Sequence, residues 1–250
     1  MKTSGNTILI TVGASGIGLA LAKAFVEAGN RVLICGRRQD RLDEARQLLD
    51  KTHAFQCDLS TADGRQALFE WSTGNFPQLN ILVNNAGIQN HVDLRHGLES
   101  LTDGEDEIDI NLRAPIFLSA LFIPYFLERK GSAIVNITSG LGFVPLAFMP
   151  VYCATKAAMH SYSLSLRHQL RHGSIKVFEI IPPTTDTELD RGARARRGQA
   201  ERGIPPEEVA RATLQALAAD EFELAVGAAQ HLRDASRSQP DEIFRRLNGD

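Results

Sequence analysis

The stretch Thr7-Ile-Leu-Ile-Thr-Val-Gly-Ala-Ser-Gly-Ile-Gly18 joins a short apolar run to a turn with three glycines, and it decides the fold. The apolar run predicts a buried strand over Thr7–Val12, and the residues that follow predict an amphipathic helix over Ile17–Ala28. The glycines allow a tight turn and let main-chain N–H groups approach a pyrophosphate at the start of the helix. The stretch therefore predicts a strand, a phosphate-binding turn and a helix.

The same alternation of short apolar runs and amphipathic segments continues along the chain. Further strands are predicted at Arg31–Cys35, His53–Gln56, Ile81–Asn84, Ser132–Ile137, Lys176–Ile181 and Phe222–Val226. Further helices are predicted at Asp40–Leu49, Thr61–Phe69 with Ser60 as its N-cap, Leu112–Lys130, Val151–His172 and Glu207–Ala219. The alternation is typical of parallel strands joined by right-handed crossovers, so we expect one doubly wound α/β domain over residues 1–250, with a mainly parallel sheet of about seven strands flanked by helices.

Composition and charge limit the classes of partner. The chain has 250 residues, of which 43% are hydrophobic and 23% charged, and its formal net charge is −3. A charge so close to zero gives no general attraction to nucleic acid or to an anionic membrane. The uncharged run Ala114–Leu127 is shorter than the ~20 apolar residues of a spanning helix, and it contains two prolines, so we expect it in the core. We therefore expect neither nucleic acid nor a membrane as partner.

The cysteines and histidines do not predict a metal site. Cys35, Cys57 and Cys153 are scattered and lack the close spacing of zinc ligands, which fits a reduced, cytoplasmic protein. The N-terminus runs into the first strand without a segment that resembles an export signal. His168 and His172 are four residues apart, but their position between two arginines favours a solvated helix face over a metal pair.

A tyrosine and a lysine stand four residues apart in the predicted helix that begins at Val151. Tyr152 and Lys156 therefore leave the same face of that helix, one turn apart. A positive charge ~4 Å from the phenol, at an effective dielectric of ~20, is worth roughly 4 kcal/mol, or about three pKa units. The phenol would then serve as an acid or base near neutral pH. Ser139, near the end of a predicted strand, could hold a substrate oxygen at this phenol.

Tyr-x-x-x-Lys alone occurs often on surface helices, but five further motifs accompany it. They are Thr11 to Gly18 (T-G-x-x-x-G-x-G), Asn84-Asn85-Ala86-Gly87, Asn111, Ser139 and Pro182 to Thr187 (P-G-x-x-x-T). On these residues the chain resembles the short-chain dehydrogenase/reductase family over nearly its whole length. Ile88-Gln89, Val151–Ala158 and Ser165–Arg171 resemble a bacterial branch of that family labelled DltE-like.

The resemblance implies a Rossmann-type oxidoreductase that reduces a ketone or aldehyde to an alcohol, or catalyses the reverse. It implies that Tyr152 is the acid/base, that Lys156 lowers the pKa of Tyr152 and binds the nicotinamide ribose, and that Ser139 orients the carbonyl. For Asn111 it implies a water-linked proton relay, while a buried amide that braces the helix is an equal alternative. The cofactor-binding residues it implies are Gly13, Ser15, Gly16, Ile17, Gly18, Arg37, Arg38, Asp58, Leu59, Asn85, Ala86, Gly87, Tyr152, Lys156, Pro182 and Thr187.

The end of the second strand bears on the choice of cofactor. A carboxylate there would bind the ribose hydroxyls of NAD(H), whereas arginine would pair with the 2′-phosphate of NADP(H). The sequence Cys35-Gly36-Arg37-Arg38 has no acid at this place, so NADP(H) is favoured over NAD(H). The alternative is that both arginines are only solvated and that Asp40 caps the next helix. For Asp58, contact with adenine competes with a role as a cap.

Two residues depart from the family motifs. Val12 stands in place of the first glycine of the turn, where a β-branched residue is a poor choice if the turn needs positive φ. Pro183 stands in place of the glycine after Pro182 and stiffens the entry to the next loop. Reduced cofactor affinity is therefore expected. A catalytically idle protein that senses NADP(H) is one alternative, and an NADP-dependent epimerase or dehydratase is another.

The sequence says least about the identity of the substrate and about the oligomeric state. The apolar stretch Leu141–Met149 predicts a hydrophobic wall of the substrate pocket. The predicted substrate-side loop 184–206 contains arginines that could bind a carboxylate or phosphate, or that belong to a hydrated lid: Arg191, Arg194, Arg196, Arg197 and Arg202. The resemblance implies a small carbonyl or alcohol substrate, and a homodimer or homotetramer formed through the helices Leu112–Lys130 and Val151–His172.

Overall fold

A computed structural model describes residues 1–102, 106–189 and 203–249 of the chain. Within these residues a single sheet contains seven strands, and every neighbouring pair is parallel. The strands are β1 (Thr7–Thr11), β2 (Arg31–Gly36), β3 (Thr52–Gln56), β4 (Leu79–Asn84), β5 (Ala133–Ile137), β6 (Lys176–Ile181) and β7 (Glu223–Ala225). Their order in the sheet is β3-β2-β1-β4-β5-β6-β7, which confirms the predicted doubly wound, Rossmann-type fold.

Helices cover both faces of this sheet. They are α1 (Gly16–Glu27), α2 (Gln39–Leu48), α3 (Ala62–Asn75), α4 (Glu99–Thr102), α5 (Ala114–Leu127), α6 (Pro150–Gln169), α7 (Pro206–Ala219), α8 (Ala228–Ser238) and α9 (Pro240–Asn248). A π-helical turn, Asp109–Arg113, leads directly into α5, and short 3₁₀ turns lie at Leu94–His96 and Gly140–Gly142. The predicted helices are all present, with ends that differ by up to several residues.

The inner strands of the sheet are buried on both faces, which explains their continuous apolar runs. In β1, Ile8 and Ile10 join the core that lies under α1 and α7, whereas Leu9 points the other way. Leu9 joins a second core with Leu118 of α5 and Leu166 of α6. This division follows from the two-residue period of a strand, in which successive side chains leave opposite faces.

One predicted helix cap, Ser60, is wrong, and the alternative that Asp40 caps the next helix is also wrong. The N-cap of α3 is Thr61, whose Oγ1 accepts a hydrogen bond from Gly64 N at 3.0 Å. Ser60 lies one residue before this cap, and its hydroxyl donates to Asp58 Oδ1 at 2.8 Å in the preceding turn. The N-cap of α2 is Arg38, and Asp40 lies inside the first turn. The observed cap therefore lies one residue after Ser60 in α3 and two residues before Asp40 in α2, which is the usual uncertainty of a helix end.

The apolar helix after the π-helical turn lies against the sheet. By length and composition alone, Asp109–Leu127 is the one part of the described chain that could cross a membrane. Core helices of soluble proteins pass the same test, and Leu118, Phe122 and Phe126 pack into the core beside the sheet. The expected core position of Ala114–Leu127 agrees with this packing.

The sheet order places a crevice between β1 and β4. From β1 the chain moves outward to β2 and β3, and β4 then returns to the other side of β1. The connections after β1 and β4 therefore leave in opposite directions at the carboxyl edge of the sheet. Ligands of open α/β sheets bind at this edge, where the strand order reverses.

Candidate functional site

A cleft opens at the carboxyl ends of β1 to β4, where the sheet order reverses. It encloses about 790 Å³ of empty space, including the part open to solvent. Seven of the predicted cofactor residues line it: Ser15, Arg37, Arg38, Asp58, Leu59, Ala86 and Gly87. The remaining ones lie in the turn before α1, in the first turn of α1, in the segments that follow β4 and β6, and on α6.

The turn after β1 is fastened to the end of β4 by hydrogen bonds. Thr11 Oγ1 accepts from the main-chain N–H groups of Asn85 and Ala86, both at 2.9 Å. Asn85 Nδ2 donates to the carbonyl oxygens of Thr11 (3.0 Å) and Val12 (3.2 Å). The asparagine and alanine predicted to bind cofactor therefore also fix the shape of the turn.

Val12 has a left-handed backbone conformation, for which valine is a poor choice, as expected from the sequence. Its φ is +52°, and it lines the cleft. In that conformation the Cβ atom of an L-residue crowds the following carbonyl oxygen, and a β-branched residue is a clear outlier there. The turn is therefore strained at Val12, and the hydrogen bond from Asn85 holds it in place.

The glycines of the turn are required by the packing of the protein itself. A Cβ atom at Gly18 would collide with the carbonyl oxygen of Val12 and with Asn85 Nδ2, and one at Gly13 would collide with Ile34. Gly16 has a φ of +51°, and a Cβ there would lie 3.1 Å from Thr187 Cγ2. The start of α1 therefore sits close against the ends of β1 and β4, and Thr187 packs on it.

Three arginines line the cleft beyond the end of β2. The sequence predicted Arg37 and Arg38, and the structure adds Arg41 from the first turns of α2. Arg41 pairs with Glu44 at 3.0 Å and with Glu188 at 3.3 Å. Sequence reasoning missed Arg41, which lies in the first turn of the predicted helix Asp40–Leu49, three residues after Arg38.

Asp58 lines the cleft, and its carboxylate also caps a turn. Oδ1 accepts hydrogen bonds from Ser60 N at 2.9 Å and Ser60 Oγ at 2.8 Å. These hydrogen bonds, the main-chain one first, lower the pKa of the Asp58 carboxyl. The alternative that the sequence left open, a capping role, is therefore present in the structure, while contact with adenine stays a prediction.

Tyr152 and Lys156 are buried on the same side of α6. Lys156 Nζ lies 5.7 Å from the centroid of the Tyr152 ring and donates a hydrogen bond to Ile137 O at 3.0 Å. Burial lowers the pKa of Lys156 to about 8. The ammonium form still predominates at neutral pH, so a positive charge stands beside the tyrosine ring in surroundings that screen it poorly.

Asn111 lies in the π-helical turn and braces the segment after β4. Its Nδ2 donates to Ile88 O (2.8 Å) and Thr155 Oγ1 (3.2 Å), and its Oδ1 accepts from Ile88 N (2.8 Å). A Cβ atom at Gly87 would lie 3.5 Å from both Asn111 Oδ1 and Lys156 Nζ. Gly87 also lines the cleft, so the amide, the ammonium and the cleft meet at this glycine. π-helical turns are frequent at functional sites.

Ser139 lies two residues after the end of β5 and is the N-cap of the 3₁₀ turn Gly140–Gly142. Its Oγ accepts a hydrogen bond from Leu141 N at 3.1 Å, which is the capping role considered from the sequence. Gly140 N donates to Pro182 O at 3.1 Å, so the segments after β5 and β6 run together. Beyond Ser139 a cluster of apolar residues packs around the tyrosine, in agreement with the predicted apolar wall: Leu141, Leu146, Phe148, Met149, Tyr152 and Cys153.

Two buried carboxylates near the site were not singled out from the sequence. Glu179 of β6 is fully buried and contacts Thr138 Oγ1 at 2.8 Å and His160 Nδ1 at 2.9 Å. The contact with Glu179 raises the pKa of His160. Glu107 accepts a hydrogen bond from Asn90 N at 3.0 Å, and burial raises its pKa. Glu179 could have been identified by its position in an otherwise apolar strand, whereas Glu107 stands in an acidic stretch of sequence that gives no such signal.

One group of side chains in the described chain has the spacing of metal ligands. Potential ligand atoms of His160, Glu179 and Glu223 lie within 4.8 Å of one another. These atoms already have partners, because His160 and Glu179 contact each other and Glu223 pairs with Arg233 at 3.4 Å.

The predicted substrate-side loop is described only at its two ends. Thr185 forms a β-bridge with Ile204, and Asp186 N donates to Ile204 O at 2.9 Å. The arginines assigned to substrate recognition lie outside the described residues: Arg191, Arg194, Arg196, Arg197 and Arg202.

Comparisons with known proteins agree with this architecture. A family model described as short chain dehydrogenase matches residues 6–198. "Uncharacterized oxidoreductase DltE" of Bacillus subtilis is 49% identical over 248 residues, which cover 99% of this chain and 98% of that protein. "NADP-dependent 3-hydroxy acid dehydrogenase YdfG" of Escherichia coli K12 is 32% identical over 70% of this chain and 71% of its own length.

A solved structure extends the comparison. It is described as the closed form of serine dehydrogenase complexed with NADP+, and it superposes with a TM-score of 0.76 at 30% identity. The superposition covers 84% of this chain and 88% of that one.

Proposed function

The chain belongs to the short chain dehydrogenase family, and from this premise we propose that it is an NADP(H)-dependent oxidoreductase that reduces a ketone or aldehyde to an alcohol, or catalyses the reverse. Membership makes it an oxidoreductase; the cofactor and the carbonyl chemistry are the proposal. The main support for the proposal is that Asn111 and Lys156 both lie close to Gly87, which lines the cleft. Lys156 also lies beside the Tyr152 ring.

The residues of the cleft fit a dinucleotide. Ser15, the N-cap of α1, lines the cleft, so a pyrophosphate bound there would lie at the start of the helix, where the first main-chain N–H groups have no intrahelical acceptor. Arg37, Arg38 and Arg41 line the same cleft and could hold a 2′-phosphate through their guanidinium groups. The names of two similar proteins include NADP, which supports the same choice. When bound, the nicotinamide cofactor would supply or accept the hydride.

In this proposal Tyr152 exchanges the proton. Its phenol would donate a proton to the substrate oxygen during reduction and accept one during oxidation. The buried ammonium of Lys156 near the tyrosine ring favours the phenolate and so lowers the cost of proton release. Ser139 Oγ accepts from Leu141 N, which leaves its O–H as a donor for the substrate oxygen. Asn111 would hold the Ile88 segment, and any water bound there, against this centre.

The apolar cluster around Tyr152 limits the substrate. Leu141, Leu146 and Phe148 pack with the tyrosine, so a substrate carbonyl at the phenol would have apolar side chains beside it. We therefore expect the protein to prefer a carbonyl compound with an apolar substituent next to the reacting carbon over one whose substituents are polar.

The test is turnover of NADPH with a panel of ketones and aldehydes, measured through the absorbance of the reduced cofactor. Tyr152→Phe should lower kcat by about 10² or more, because it removes the proton donor, while NADPH affinity stays within about twofold. Tyr125→Phe is the matched control, since the Tyr125 hydroxyl donates to Pro77 O and lies on α5. Turnover that survives Tyr152→Phe would contradict the proposed role.

A second candidate is a protein that binds NADP(H) without turnover. The departure at Val12 favours it, because a protein that does not turn over its cofactor could tolerate a β-branched residue in the left-handed conformation of this turn. NADPH binding without turnover across the panel, unchanged by Tyr152→Phe, would establish this function. An epimerase or dehydratase would instead form product with no net change in the reduced cofactor.

The predicted homodimer or homotetramer is also part of the proposal. On the two helices concerned, Phe117 and Leu127 of α5 and Leu164 of α6 are exposed apolar residues, which are typical of an interface. Light scattering after size-exclusion chromatography measures the assembly directly. A monomer at micromolar concentration would contradict this prediction.

A further inference from the structure

A carboxylate from the segment after β6 lies between two arginines of the cleft. Glu188 Oε2 is 3.6 Å from Arg38 Nη2, and Glu188 Oε1 is 3.3 Å from Arg41 Nη2. Each carboxylate oxygen therefore serves a different guanidinium group. Glu188 and Arg41 are 147 residues apart in sequence, so only the fold brings them together.

The residue before Glu188 rests on the phosphate-binding turn. A Cβ atom at Gly16 would lie 3.1 Å from Thr187 Cγ2, which means that Thr187 packs against the start of α1. Residues 187 and 188 thus extend from the start of α1 to the start of α2. These are the two places where a dinucleotide in the cleft would need to place its pyrophosphate and its 2′-phosphate.

We propose that Glu188 competes with the 2′-phosphate of NADP(H) for Arg38 and Arg41, which makes Glu188 a determinant of cofactor specificity. The inference rests on the proposed function, because it takes the cleft as the nucleotide site. Binding of a 2′-phosphate breaks the two ion pairs of Glu188 and forms new ones with the same guanidinium groups. A cofactor that lacks this phosphate leaves Glu188 paired.

The ion pairs are suited to exchange. The side chains of Arg38, Arg41 and Glu188 are 55%, 37% and 51% exposed, and ion pairs between exposed groups contribute little to stability. A phosphate monoester carries a charge of about −1.5 to −2 at neutral pH, against −1 for a carboxylate, and accepts from more than one guanidinium. The phosphate therefore displaces the carboxylate, at a cost in affinity that only the phosphorylated cofactor bears.

A second carboxylate provides the matched control. Glu44 pairs with Arg41 through Nη1 at 3.0 Å, lies on α2 itself and is not paired with Arg38. Glu44→Gln removes the same charge near the same arginine, but it leaves the Glu188 bridge intact. A difference between the two variants therefore measures the bridge and not the net charge of the surface.

The experiment is a calorimetric titration of wild type, Glu188→Gln and Glu44→Gln with two nucleotides. Adenosine 2′,5′-bisphosphate carries the 2′-phosphate, and adenosine 5′-monophosphate is the same ligand without it. Glu188→Gln should tighten binding of the bisphosphate by about threefold to tenfold, as expected for release of an exposed ion pair, with less than about twofold change for the monophosphate. Glu44→Gln should have a clearly smaller effect on the bisphosphate.

Three outcomes would overturn the inference. Equal gains from the two substitutions would show a general effect of charge, and an equal gain for both nucleotides would show that the 2′-phosphate is not involved. Unchanged bisphosphate binding in Glu188→Gln, with normal binding by wild type, would exclude competition while leaving the proposed function intact. If none of the three proteins binds either nucleotide, the proposed function fails as well.

Discussion

Lys156 donates a hydrogen bond from Nζ to the main-chain carbonyl oxygen of Ile137, 3.0 Å away. This bond joins α6 to the last residue of β5, two residues before Ser139. It fixes the ammonium beside the Tyr152 ring, but it does so in a buried position that lowers the lysine pKa to about 8. The arrangement proposed for catalysis therefore has a cost in stability.

That cost predicts the effect of Lys156→Met. The fall of the lysine pKa from 10.5 to about 8 means that the folded state binds this proton less tightly than the unfolded state. The penalty is fully present below pH 8 and disappears as pH rises toward 10.5, so the stability of the wild type increases over that range. Lys156→Met removes this penalty but also loses the hydrogen bond to Ile137. The net result should be a variant that is more stable than the wild type at pH 7 by roughly 1–2 kcal/mol, and inactive.

Urea unfolding at pH 7 and pH 10 measures this effect. The advantage of Lys156→Met should shrink at pH 10. A variant that is less stable than wild type at both values would show that the hydrogen bond to Ile137 outweighs the burial of the charge.

The strain at Val12 predicts that Val12→Gly stabilises the protein. Glycine adopts the left-handed conformation without the strain of a β-branched residue, which stabilises the folded state. The substitution also loses side-chain packing and makes the unfolded chain more flexible, and both effects are destabilising. We expect the free energy of unfolding to rise by about 1 kcal/mol net. NADPH binding should tighten as well. Val12→Ala is the control, because it keeps a Cβ atom at the same φ, and it should gain less. A Val12→Gly variant with equal or weaker NADPH binding in a titration would show that the turn tolerates valine.

The contact between His160 and Glu179 predicts a pH-dependent stability. Glu179 raises the pKa of His160, so the contribution of the pair is fully present below about pH 6.5, the ordinary value for histidine, and is lost as pH rises through the higher pKa of the folded state. His160→Gln should therefore cost about 1 kcal/mol more at pH 6 than at pH 9. His168→Gln, on the exposed face of the same helix, is the control and should show no such dependence. An equal cost of His160→Gln at both pH values would contradict the prediction.

The arginines of the cleft predict the effect of Arg41→Ala on cofactor binding. Loss of one guanidinium near the 2′-phosphate should weaken NADPH binding by about threefold to tenfold and leave NADH binding unchanged. Arg46→Ala on the same helix is the control, since Arg46 pairs with Asp43 and does not line the cleft. Fluorescence titration of both cofactors measures the two affinities. Equal weakening of NADPH and NADH would remove Arg41 from the 2′-phosphate site.

Much of the architecture could be predicted because it depends on local patterns. Ile8, Leu9 and Ile10 predicted a strand buried on both faces, and the alternation of such strands with helices predicted the parallel sheet. Even the strain at Val12 could be anticipated, because a tight turn limits the φ of its residues whatever surrounds it. The caps were less predictable, since Ser60 and Thr61 are adjacent hydroxyl residues, and the backbone at the start of α3 decides which of them accepts from Gly64 N.

The sequence by itself determined the order of strands and helices, the glycine turn after the first strand and the pairing of Tyr152 with Lys156 on one helix face, because each depends on spacings of a few residues. Only the tertiary structure decided that Glu188 reaches Arg38 and Arg41, and that Glu179 lies beneath His160. These contacts join elements far apart in the chain. Their partners are chosen by how the sheet and its crossovers pack, and no local pattern records that choice.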